Sequence, residues 1–335
     1  MKIKWKNKNF TSPIATQIQR FLQFKYAAGC KYHDEKRLLY VLDEFLESHL
    51  SIEDPVITDD IVREYSARKG AESEANRAHR LSILRQLCRF LAPEEPRTAV
   101  DSQYFLGIRR RPFVPYILTL SEGQRLLQSC LKFSCGKGDK SLLFHRMVYG
   151  TALMLLYLTG MRVGEVLSLN LEDVDLATGV LRIRQAKFGK SRFVPIAPDL
   201  TEAMRKCRSF VDEYLYSRPP NACFFPKFNG KTCTEAIIRY SFRKALTEAG
   251  IVWLGQGKGP RLHDLRHSFA VNRMILWYRQ NANLNAKLPL LATYLGHISL
   301  SGTQRYLRLT ETFVGEITRR HQTQFGYLIT ERISQ

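Results

Sequence analysis

The chain has 335 residues, 44% hydrophobic and 24% charged, the proportions of a globular protein with room for two cores. Its 51 lysines and arginines against 31 acids leave a net charge of +20, which concentrates polyanions and points to nucleic acid or an anionic membrane. No run approaches the ~18 apolar residues of a spanning helix, and the basic N-terminus, MKIKWKNKNFTSP, lacks the apolar centre of a signal peptide, so a cytoplasmic protein without a membrane role is expected.

Four helices are predicted first, over residues 13–30, 34–49, 57–69 and 72–92. RLLYVLDEFLESHL spaces Leu38, Val41, Leu42, Phe45 and Leu46 helically, and ANRAHRLSILRQLCRFL repeats the pattern with basic residues on its polar side. APEEP at 92–96 closes this block, because proline disfavours helix in itself and in its predecessor. GIRRRPFVP follows, with Arg109, Arg110 and Arg111 beside two prolines, and reads as a basic linker suited to a DNA backbone. TLSEGQRLL opens a further helix with Ser121 as its N-cap. LFHRMVYGTALMLLYLTG is a strongly apolar helix that Gly160 terminates, and GVLRIRQAKFGKSRFVPIA reads as a β-hairpin. Helices then run to the end, interrupted by loops such as GQGKGP; no internal repeat occurs. The fold class is mainly α with a small β-sheet, α+β, divided as 1–107, a 108–117 linker and 118–335.

Seven cysteines, at 30, 88, 130, 135, 207, 223 and 233, contain no C-x-x-C pair and are odd in number. Reduced, buried thiols are expected rather than a zinc module or a disulfide framework.

GPRLHDLRHSFAVNRMILWYR, residues 259–279, places His263, Arg266 and His267 on one helical face, with Leu265, Phe269 and Leu276 roughly opposite. Two histidines four apart could bind a metal, or the trio could grip a phosphate. The zinc-protease pattern fails: Asp264 stands for the glutamate, no third ligand is evident, and Arg266 repels a cation. FGKS at 188–191 is not a P-loop, because Arg184 stands where its first glycine belongs. No metal and no cofactor are expected.

Cutting and rejoining a DNA strand without a metal requires a cation pair for the phosphate oxygens, a nucleophile, a base and an acid. Two arginines can clamp the oxygens, a phenol can attack, histidine can take the proton, and a lysine can protonate the leaving sugar oxygen. LTGMRVGEVLSL (158–169), AKFGKSRFVPI (186–196), HDLRH (263–267) and YLGHISLSGTQRYL (294–307) supply this set in Arg162, Lys187, His263, Arg266, His297 and Tyr306.

These motifs, T-G-x-R-x-x-E, H-x-x-R, L-G-H and a tyrosine nine residues on, resemble the tyrosine recombinase (phage integrase) family over roughly residues 115–315. The resemblance implies a helical, SAM-like core-binding domain followed by a catalytic domain, closing around double-stranded DNA as a clamp. It implies that Arg162 and Arg266 hold the scissile phosphate, that His263 and His297 bond its oxygens with His263 as base, and that Lys187 is the general acid. Tyr306 would attack, leaving a 3′-phosphotyrosine that resolves through a Holliday junction. Glu165 and His267 would support these groups, and Lys190 and Arg192 would contact DNA. Lys190 is also the alternative to Lys187 as general acid. The segment YRQNANLNAKLPLLATYLGH is longer than is usual, and resembles a branch borne by transposons and plasmids; integration or excision of a mobile element is the implied role. The implied assembly is a tetramer, or dimer of dimers, on DNA at the nucleoid, with or without partner recombinases and DNA-bending proteins, and with the apolar C-terminal tail packing in cis or on a neighbour. A type IB-like topoisomerase and a non-catalytic DNA-binding accessory protein stand as the alternatives.

Overall fold

The structure, a computed structural model, describes residues 9–105, 114–132, 140–184, 191–216, 218–253, 255 and 259–297. Arg109, Arg110, Arg111, Lys187, Lys190, Tyr306 and the C-terminal tail lie outside the described residues. The chain divides into two units, Met1–Phe113 and Val114–Gln335.

In the first unit the apolar periodicity becomes α1 (Ala15–Ala27), α2 (His33–Glu47), α3 (Asp59–Ser66) and α4 (Glu74–Leu91). Local chemistry that periodicity does not register sets their ends. Gly29 turns the chain at φ +76° after α1, and the Ser73 hydroxyl accepts the Asn76 amide at 3.2 Å to start α4. Leu39, Leu42 and Leu46 of α2 meet Phe21 and Leu22 of α1 and Leu84 and Leu87 of α4 in one buried cluster. Leu38 and Phe45 lie at its margin. Asp43, also buried, accepts the Thr11 and Ser12 amides at 2.8 and 3.1 Å and so pins the start of the described chain.

The second unit begins with α5 (Leu120–Lys132). Its N-cap is Thr119, not Ser121: the Thr119 hydroxyl accepts the Glu122 amide at 3.2 Å and Glu122 returns the bond to the Thr119 amide at 2.8 Å. Ser121 instead accepts from Arg125. The apolar stretch forms α6 (Lys140–Phe144), a π-helical turn (His145–Gly150) and α7 (Thr151–Thr159). By length and composition this run could cross a membrane, contrary to the expectation from the sequence. It is a core helix instead. Thr151 to Tyr157 are all buried, and α7 packs against α5, against α9 (Pro198–Leu215) and against α11 (Leu262–Arg279). Gly160 ends it at φ +64°.

After the short α8 (Val163–Leu167) comes an antiparallel sheet of β1 (Val174–Asp175), β2 (Val180–Ile183) and β3 (Arg192–Pro195), in that order. The hairpin pairs Leu181 with Val194 and Ile183 with Arg192. Leu181, Ile183 and Val194 are buried while Arg182 and Phe193 face outward. Arg192, two residues before Val194, therefore starts on the inner face.

Then follow α9, α10 (Glu235–Glu248), α11 and α12 (Leu284–Leu295). The long segment before YLGH is the last turn of α11, a short turn and α12, whose N-cap Asn283 accepts the Ala286 amide. The buried residues of α11 do not follow the two sides read from the sequence: Leu276 is 42% exposed and Arg266 only 2%, while His263 is exposed. The helix lies between α7 and α12, and backbone carbonyls accept from the buried guanidinium. Among the described residues five cysteines are as expected, thiols that are buried or half-buried, whereas Cys30 is exposed; Cys135 lies outside the described residues.

Phe144 is fully buried, with ring contacts to Tyr149, Phe210, Tyr214 and Phe228. Phe144→Ala is expected to cost about 3–5 kcal/mol, read as a lower urea midpoint with an unchanged m-value.

Candidate active site

Arg162 is the N-cap of α8, in extended backbone just past the Gly160 turn. Arginine cannot accept the first helical amides as a serine would. Instead Glu165, the third residue of the helix, accepts from the Arg162 backbone amide at 3.0 Å and from its guanidinium at 2.8 Å. The other end of that guanidinium donates to the Gly296 carbonyl at 3.2 Å. This ties the α7–α8 corner to the end of α12, 134 residues away.

Glu165 is buried and takes a second arginine. Arg192 donates to both carboxylate oxygens, at 3.0 and 2.8 Å, and through Nε to the Tyr294 carbonyl at 2.9 Å. Its side chain is 10% exposed. Where the sequence suggested a DNA contact, strand parity points Arg192 inward, and Glu165 and α12 take up its donors. Burial raises the Glu165 pKa, but Arg192, the Arg162 amide and the Arg162 guanidinium outweigh it and hold the carboxyl at about 2.

Arg266 donates to the Gly160 carbonyl at 2.7 Å and to the Leu295 carbonyl at 2.8 Å. Both acceptors border glycine turns. Gly296 caps α12 at φ +69°, and a Cβ there would stand 2.8 Å from the Arg192 guanidinium; one at Gly160 would meet the Phe269 ring at 2.6 Å. The turn at Gly296 aims His297 back over the cluster, with its amide held by the Ala292 carbonyl at 2.9 Å.

His263 and His267 pack edge to face, 4.8 Å between ring centres. Burial lowers the pKa of all three histidines. Neighbouring groups add to this: the Arg266 guanidinium for His263, the adjacent His263 ring for His267, which disfavours a second protonation beside it, and the Arg266, Arg162 and Arg192 guanidiniums for His297. His267 and His297 fall to about 4. Among the described residues no group of three or more His, Cys, Asp or Glu is placed to hold a metal, and the surrounding guanidinium groups disfavour a cation. The arrangement suits an oxyanion.

The structure thus brings together Arg162, Glu165, His263, Arg266, His267 and His297. Two participants escaped the sequence reading. The inward role of Arg192 could have been read from its parity with Val194. Arg261, the N-cap of α11, is bound to Asp264 as Arg162 is to Glu165, and the shared spacing R-x-x-E and R-x-x-D was its signal.

The model of the phage integrase family matches residues 117–312. The putative integrase/recombinase y4rB of Sinorhizobium fredii (strain NBRC 101917 / NGR234) is 30% identical over 309 residues, 92% of this chain and 97% of its own length. The XerH site-specific recombinase, solved with palindromic difH substrate as a post-cleavage complex, superposes at a TM-score of 0.65 and 18% identity, covering 96% of this chain and 97% of its own. A lambda integrase tetramer bound to a Holliday junction gives 0.58 and 18%, covering 89% and 83%. At these identities the two structures establish a common fold.

Two predictions follow from the electrostatics. Removing Arg192 leaves the buried Glu165 with half its partners, so Arg192→Ala should destabilise the protein by about 3 kcal/mol or more; a merely DNA-contacting arginine would leave the unfolding midpoint unchanged. The lowered histidine values mean that the unfolded chain binds protons between about pH 6.5 and 4 and the folded one does not. Thermal stability should therefore fall as pH drops through that window. It should fall again towards pH 2, where the depressed Glu165 carboxyl gains its proton.

Proposed function

The chain belongs to the phage integrase family, and on that premise we propose that it recombines DNA at specific sites with Arg162, His263, Arg266, His297 and Tyr306 as its catalytic groups. As a tyrosine recombinase it cleaves and rejoins DNA strands. The observation that supports this site is the convergence of three chain segments, around Arg162, Arg266 and His297, on one semi-buried cationic cluster held by the Gly160, Leu295 and Gly296 carbonyls.

In this reading the two guanidinium groups flank the scissile phosphate and neutralise charge that builds on its oxygens. His263, whose pKa is lowered by burial and by Arg266, is neutral at physiological pH and accepts the phenolic proton of Tyr306. His297 bonds a non-bridging oxygen, and Lys187 protonates the departing 5′-oxygen. Glu165 fixes Arg162, and Arg192 fixes Glu165. His267 packs against His263 and sets its ring plane. Bond energy is kept in the 3′-phosphotyrosine, so rejoining needs no nucleotide.

Basic groups at Arg109, Arg110, Arg111 and Lys190 contact the DNA backbone, and each of the units 1–107 and 118–335, joined by residues 108–117, binds the duplex. Active protomers assemble as a tetramer through a Holliday junction, supported by the lambda integrase tetramer on such a junction. The integrase/recombinase designation of y4rB supports integration or excision of a mobile element, and the net charge of +20 supports an association with the nucleoid.

The test uses nicked DNA from the flanks of the protein's own gene, incubated in EDTA. A DNA–protein adduct that survives SDS, disappears with protease and is lost in Tyr306→Phe is expected, and sequencing its ends locates the cleaved phosphate. An adduct that persists in Tyr306→Phe would remove Tyr306 as nucleophile. Specific binding with no adduct would favour an accessory protein.

A further inference from the structure

Arg261 has no role in the chemistry above, yet its setting duplicates that of Arg162. Each arginine is an N-cap, in extended backbone, of a helix entering the site. In each case the third helical residue is a buried carboxylate that accepts the arginine's own amide, at 3.0 Å for Glu165 and 2.8 Å for Asp264. The same carboxylate also takes the guanidinium, which for Arg261 means Nε at 3.2 Å and the terminal nitrogen at 3.1 Å. Arginine is a poor capping residue, so capping does not account for it at either position. The carboxylate fixes the direction of a long side chain whose free rotamers would otherwise cost entropy on binding. The Arg261 side chain is 42% exposed at the end of α11 that carries His263, so it is partly open to solvent beside the cluster while Asp264 holds it.

We propose that Arg261 is a second phosphate anchor, which holds a DNA phosphate flanking the scissile one on the cleaved strand and thereby sets the register of that strand over His263 and Arg266. This rests on the proposed reading of the site as the phosphate-cleaving centre. Arg261 is a positioning residue: it touches substrate backbone and no reacting atom. Asp264, otherwise a buried carboxylate with no chemical task, is its holder.

The experiment is a cycle between residue and phosphate in the full-length protein. Strands carrying a single neutral methylphosphonate on either side of the mapped cleavage position are compared with unmodified DNA, using wild type, Arg261→Ala and Arg261→Gln; the glutamine can still donate to Asp264 and guards against loss of folding. Single-turnover adduct formation is the readout. Neutralising one flanking phosphate should slow the wild type about 10-fold or more, the scale of a charge-assisted hydrogen bond. It should slow the variants little further, because the contact is already absent. If both variants lose rate equally on every strand, or neither loses any, Arg261 serves only Asp264 and the inference falls. If the wild type leaves the unmodified strand uncut, the reading of the site falls first and takes this one with it.

Discussion

The second unit turns on one buried carboxylate. Glu165 accepts from the Arg162 amide, the Arg162 guanidinium and both terminal nitrogens of Arg192. Through those partners it joins the start of α8, the first residue of β3 and the carbonyls that close α12. Desolvating a carboxylate carries a large cost, which only this complete set of donors offsets. The arrangement is therefore close to all or none, and the cationic cluster inherits its rigidity. Arg162 stays in place because its holder is itself held.

The histidines show the other side of this design. Burial disfavours the charged imidazoles and the surrounding guanidinium groups repel further positive charge, so His267 and His297 stay neutral down to about pH 4 and His263 is shifted in the same direction. Neutral imidazoles can accept protons and also donate bonds to an anion. The arginines thus make the cluster suited to an anion and at the same time keep the neighbouring imidazoles neutral.

Much of this could be read from the residues themselves. Arg162, His263, Arg266 and His297 were singled out because phosphate chemistry restricts residue type, and the structure brings them into one cluster. The four amphipathic helices of the first unit declared themselves by period. What periodicity could not convey was tertiary. Arg266 reads as a surface charge until the carbonyls of Gly160 and Leu295, distant in sequence, meet it. Likewise α11 reads as one-sided because nothing local announces that α7 and α12 enclose it. Two readings went astray although local signals existed. T-x-x-E at Thr119–Glu122 marked the start of α5 better than Ser121 did, and the alternation along RFVP marked Arg192 as inward.

Gly160 and Gly296 contribute no side chain to any of this, yet each forms the floor on which an arginine rests. Their left-handed turns expose the carbonyls that Arg266 and Arg162 bind, and their missing Cβ atoms leave room for the Phe269 ring and the Arg192 guanidinium. Variation at these two positions is thus governed by the geometry of the charged residues around them. Over evolutionary drift they would be retained as strictly as the cations themselves, and a genetic screen for lost recombination would return them in the same class.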